Sequence, residues 1–165
     1  MADSGEFREK VKNDVIRIMA ETLEISPDEI MDEFRREYLD RKEPLHFRKL
    51  KVDDLSDETE SNFDTRVVLM YTDHDEEKSA EGIGNGPIDA VKRALQDSLD
   101  IDVKILDYSE HALQSGSNSQ AAAYIHLLDA NTGRVTYGVG VSSNITRASV
   151  RAIFSAMNRL GLGER

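Results

Sequence analysis

The chain has 165 residues, 39% hydrophobic and 32% charged, which suits one domain or one domain with a small appendage. Its 21 basic and 32 acidic residues leave a net charge of -11, which argues against a nucleic-acid backbone or an anionic membrane as partner. It has no cysteine, so disulfides, thiolate metal sites and thiol nucleophiles are excluded.

The acidity is uneven. Residues 1–82 carry 24 acidic and 13 basic side chains, whereas residues 83–165 carry 8 of each and are richer in Gly, Ala, Val and Ile. The second half therefore reads as the part with a core and a site. No run approaches the roughly 18 apolar residues that a transmembrane helix needs. The first 14 residues are polar and of mixed charge, unlike a signal peptide. A cytoplasmic location is expected, which makes the sequon Asn144-Ile145-Thr146 a chance match.

In chain order, Phe7, Val11, Val15, Ile18, Met19, Thr22 and Leu23 follow the spacing of one helix face. A second helix starts at Ser26, an N-cap followed by Pro27 and completed by Glu29 as a capping box, with Ile25 and Ile30 placed for a hydrophobic staple. Ile30, Phe34, Tyr38 and Leu39 form its stripe. This two-helix unit, residues 1–43, is too small to bury much surface alone and should dock elsewhere.

Strand patterning begins after Pro44 with His46 to Val52. Asp53 to Glu60 reads as a solvated loop, Thr65 to Thr72 as a strand, Asp73 to Glu76 as a turn, and Lys78 to Ile83 as the returning strand. Pro87 to Leu99 is helical, with Ile88, Val91, Leu95 and Leu99 on one face. The order then repeats: Ile101 to Asp107, Gln120 to Leu128 and Arg134 to Val141 as strands, and a last helix capped by Asn144. Glycine pairs, Gly82/Gly84 and Gly138/Gly140, precede both helices and permit close helix–sheet packing. The expected fold is α+β, with residues 44–165 forming two βββα units, about 45–99 and 100–160, whose helices lie on one face of mainly antiparallel sheet.

Three features carry chemistry. Glu81 to Ala90 runs from strand into helix through Gly82, Gly84 and Gly86, and a helix start of this kind exposes N–H groups to a carboxylate or phosphate. Its spacing matches neither nucleotide fingerprint, and on spacing alone a tight structural turn is the favoured reading. Leu106 to Ala112 ends a strand and opens a loop through Ser119; Asp107, Glu110 and His111 allow acid–base chemistry in a small hydrolase, against a plain polar loop. His46, His74 and His126 are scattered, and no second histidine stands at metal-ligand spacing. Ala121-Ala122-Ala123 in a strand leaves space either for close packing or for a branched aliphatic group.

The strings GNGPIDA, LDYSEHALQSGSNSQAAAYI and YGVGVSSNITRASVRAIFSAMNRL resemble the C-terminal leucine-sensing domain of α-isopropylmalate synthases, most closely over residues 80–160. The helices at 5–40 resemble the subdomain that links this domain to the family's catalytic barrel. The resemblance implies a pseudo-twofold dimerisation domain that binds L-leucine for feedback inhibition, needs no cofactor or metal, and pairs with a catalytic domain and a second copy of itself. A similar domain tuned to isoleucine occurs in citramalate synthases, and a dimerisation module without effector is a further alternative. The chain has no His-x-His metal pair and is too short for a TIM barrel, so no acyl transfer is expected of it.

A free leucine presents a carboxylate, an ammonium and an isobutyl group. The Gly84–Pro87 turn, with Asn85 and Gly86 between, can offer N–H groups from its non-proline residues to the first, and Asp89, Asp107 or loop carbonyls can accept from the second. Ile88, Ile105, Ala112, Ala121 and Ala123 can cup the third. By resemblance, Gly86, Ile88, Asp89, Ile105, Tyr108, Ala112, Ser119 and Ala121 lie nearest the effector, in a pocket shared between subunits.

Overall fold

The computed structural model describes residues 5, 8–13, 17, 26–39, 41–57, 60–112 and 120–162. Most of the first expected helix, the side chain of Ile30, the Ile25 staple, and Leu113 to Ser119 lie outside the described residues. Residues 8–13 are helical, and Val11 is 42% exposed rather than on a buried face. Ser26 caps the helix as expected: the Glu29 N–H donates to Ser26 Oγ at 3.1 Å. It opens helix α1 (Pro27–Phe34), which runs into a π-helical turn, Arg35–Leu39.

Two three-stranded antiparallel sheets follow, each closed by a helix. Sheet A comprises β1 (Leu45–Asp54), β2 (Thr65–Asp73) and β3 (Glu76–Gly84), with helix α2 (Gly86–Leu99) after it. Sheet B comprises β4 (Val103–Ala112), β5 (Ala121–Asp129) and β6 (Val135–Ser142), followed by α3 (Ile145–Arg159). In both sheets the strand order is the sequence order, so the architecture is the expected pair of βββα units. The β2–β3 hairpin turns on His74 and Asp75 at φ 51° and 66°, the doubly positive pair that matches strand twist.

Most strand ends shift by one or two residues from the sequence reading, and two strands run on through residues read as loop. β1 continues through Asp53 and Asp54, which pair with Arg66 and Thr65. β4 continues from Asp107 to Ala112, so Leu106 to Ala112 is strand and not the opening of a loop. The polar letters there are those of an edge strand, alternating between a core face and an outer face.

The helices lie close on the strands that precede them. A Cβ on Gly82 would stand 2.7 Å from Ala94 N, and one on Gly138 would stand 2.5 Å from Ala156 N. Both distances are below any real contact, so glycine is what lets each helix seat. One core spans both units, with Val67, Leu69 and Tyr71 from β2, Ile125 and Leu127 from β5, and the inner faces of α2 and α3. The Phe154 ring of α3 reaches sheet A, 5.9 Å from both Phe47 and Tyr71.

The buried Asn158 closes the joint with β1. Its Oδ1 accepts from Leu45 N–H at 2.9 Å, and its Nδ2 donates to Leu45 C=O at 2.8 Å.

Candidate ligand site

The glycine turn sits where sheet A hands the chain to α2. Asn85 precedes the helix but its side chain makes no capping bond, and Pro87 occupies the first turn. At the corresponding place in the second unit, Asn144 caps α3 by accepting from Arg147 N–H at 3.0 Å. The start of α2 is thus the less satisfied of the two. Gly86 adopts φ +85°, and an added Cβ there would meet nothing within 4 Å. Its conformation therefore requires glycine, while the space beside it is open.

Asp89 folds back on this turn. Its carboxylate accepts from Asn85 N–H at 2.9 Å and from Arg93 Nε at 3.0 Å, with Lys92 Nζ at 3.4 Å. Burial penalises its charge, but these three partners outweigh the penalty and hold the carboxyl below its usual value of 3.8.

The second group of expected site residues lies on sheet B. Register places Ile105, Tyr108, Glu110 and Ala112 opposite Leu127, Ile125, Ala123 and Ala121, on the core-side face. Ile88, Ile105 and Tyr108 are half-buried and pack against the same core, whereas Ala123 is fully buried within it. Ala121 is half-buried and Ala112 exposed. Ser119 lies outside the described residues.

A register irregularity between Ile105 and Asp107 leaves Leu106 without a partner. Asp107 consequently pairs with His126 on the outer face, where its carboxylate joins the Arg8 guanidinium. The structure thus brings Ile105, Tyr108, Ala112, Ala121 and Ala123 onto one face and sets Asp107 on the other. The same alternation separates Glu110 from Asp107 and His111. His111 is on the outer face, stacked on Tyr124 at 5.4 Å. The three side chains do not form an acid–base triad.

Two neighbours of Tyr108 were not read from the sequence. Its hydroxyl donates to Glu110 and lies 2.7 Å from Ser149 Oγ. Burial, and then the Glu110 carboxylate, push the phenol up to about 12, so it stays neutral and able to donate at neutral pH. Glu110 was findable once β4 was known to continue, because it stands two residues from Tyr108. Ser149 is reached only through the tertiary packing of α3. Among the described residues, no three His, Asp or Glu side chains group as a metal site, and no helix is long and apolar enough to cross a membrane.

Two βββα units with glycine-seated helices, one of them starting at an open, uncapped turn, define a tandem α+β module. The chain belongs to the family described as the LeuA allosteric (dimerisation) domain, whose model matches residues 24–161. It is similar to the 2-isopropylmalate synthase of Corynebacterium efficiens, 41% identical over 140 residues, which cover 85% of this chain and 23% of that protein. It is also similar to the synthases of Clostridium acetobutylicum, 35% identical over 136 residues covering 82% of this chain and 24% of that protein, and of Mycobacterium leprae, 39% identical with 82% and 21% covered. The chain spans about a quarter of the length of these relatives. It corresponds to their allosteric dimerisation portion, and its role is regulatory and assembly-forming.

Proposed function

We propose that the chain is a feedback sensor: it binds L-leucine, forms a homodimer, and transmits occupancy to the catalytic part of a 2-isopropylmalate synthase in the cytoplasm. Residues 1–43 act as the helical linker, and residues 44–165 hold the effector. The observation that carries this reading is the start of α2, uncapped by Asn85 and open at Gly86. The first-turn N–H groups there suit a carboxylate.

In this reading, the Gly84–Pro87 turn receives the effector's carboxylate. Asp89 accepts from its ammonium in exchange for part of its hold on Arg93 and Lys92. Ile88, Ile105, Tyr108, Ala112 and Ala121 accommodate the isobutyl group, while the fully buried Ala123 packs behind them. Asp107, set on the outer face, contributes only charge. A second copy completes the pocket, which fits a site whose two halves belong to different units of one chain. The chain itself transfers no acyl group; release of free CoA from acetyl-CoA and 2-oxoisovalerate that tracked with the pure protein would contradict this.

Isothermal calorimetry with L-leucine tests the proposal. A saturable signal supports it. A response to isoleucine alone would keep the site and change the ligand, and silence with both would leave a dimerisation module without effector.

A further inference from the structure

The two units share their strand register, and the correspondence exposes a second cleft. The register irregularity of β1 between Phe47 and Lys49 matches that of β4 between Ile105 and Asp107. Phe47, Lys49 and Leu50 therefore stand where Ile105, Asp107 and Tyr108 stand in the other unit. On the helices, Gly84 meets Ala90 and Asp89, while Gly140 meets Ala152 and Arg151. Arg151 is thus the counterpart of Asp89. Asp89, at the candidate leucine site, is Arg151 in the other unit, and Asp107, on the outer face of its strand, is Lys49.

An open cleft of about 590 Å³ lies between β1 and the start of α3. Arg48, Lys49, Arg147 and Arg151 line it, Phe47 and Leu50 form its apolar wall, Pro87 of the glycine turn stands at its edge, and no carboxylate lines it among the described residues. Of these four cations only Arg151 has a fixed partner, a backbone carbonyl: it donates to Val141 C=O at 2.7 Å. None forms an ion pair among the described residues. Burial, and then the nearby Arg147, work against the Arg151 charge. An adjoining cavity of about 320 Å³ shares Phe47 and Arg151, reaches Arg41 and Lys42, and again has no carboxylate in its lining. In a chain of net charge -11, such a gathering of unpaired cations is out of keeping with the surface around it.

We propose that this cleft is a second ligand site, adjoining the proposed leucine site at Pro87, and that it takes a small organic or inorganic anion bearing at least two negative charges, a phosphate ester or a polycarboxylate. Arg147 and Arg151 supply planar donors to its oxygens, and Lys49 and Arg48 supply charge from the strand side. The first turn of α3 adds its dipole. The inference stands whether or not leucine binds at the Gly84–Pro87 turn.

The test is calorimetry of the protein at low ionic strength with two probes, inorganic pyrophosphate and citrate, alongside amide chemical-shift mapping. One saturable site per chain is expected for at least one probe, with shifts concentrated at 47–50 and 144–151. Preference for pyrophosphate marks a phosphate ester as the natural ligand, and preference for citrate marks a polycarboxylate. Lys49→Ala and Arg147→Ala should each weaken binding at least tenfold with circular dichroism unchanged, since both side chains are exposed. Lys104→Ala, outside the cleft, should not. Absence of saturable binding with both probes overturns the proposal. So does binding that both cleft variants retain, or shifts spread over the whole surface.

Discussion

Asp89 and Arg151 occupy the same place in the two repeats, each against the second glycine of its strand. The Asp89 carboxylate lies 2.6 Å from where a Cβ on Gly84 would stand, and the Arg151 Cβ lies 2.8 Å from where one on Gly140 would stand. Equivalent helix positions thus present opposite charges beside the two glycine pairs. The first suits a ligand with an ammonium group, the second a ligand without one.

Ala121→Leu should fill the proposed isobutyl cup. Overpacking of this kind costs about 1–3 kcal/mol, roughly 5- to 150-fold in affinity. Leucine calorimetry on the variant checks this, with a thermal melt to show that the fold survives better than binding does. Equal loss of stability and binding would make Ala121 a packing residue only.

Gly86 and Gly138 should fail differently. Gly86→Val meets open space, so its cost comes from the positive φ and from blocking approach to the turn; leucine affinity should fall more than stability. Gly138→Ala drives a methyl group into the backbone of α3 and should cost about 2 kcal/mol or more in a urea titration.

Asn158→Leu removes a carboxamide that satisfies both the N–H and the C=O of Leu45. Leaving buried backbone groups without partners costs about 1–3 kcal/mol each, so a loss of about 2–6 kcal/mol is expected for the two at constant urea m-value. A change under about 0.5 kcal/mol would show that water replaces the side chain.

Asp89 makes a pH prediction with a definite sign. Its folded-state pKa lies below 3.8, so its contribution to stability is complete above the unfolded value and disappears as pH falls through the folded one. The stability gap between wild type and Asp89→Asn should be flat at neutral pH, begin to close near pH 3.8, and vanish at lower pH. A gap that widens on acidification would contradict the assigned partners.

Much of this was legible in the sequence because it depends on local spacing. The Ser26 and Asn144 caps, the glycine pairs and the duplicated strand–helix order are all written within a few residues of where they act. What was not legible depends on partners distant in sequence. Tyr108 to Ala112 looked like loop because an edge strand tolerates polar side chains on both faces. The unpaired Leu106, which turns Asp107 outward, arises from pairing with β5. The cationic cleft joins residues 47–50 to 144–151, and only the packing of α3 against β1 shows that they meet.

The account centres on this chain being a leucine sensor, and calorimetry of the wild-type protein with L-leucine tests that most directly. The account predicts a saturable heat that Gly86→Val and Ala121→Leu diminish. No saturable signal from leucine or isoleucine, with a folded protein in the cell, would contradict it.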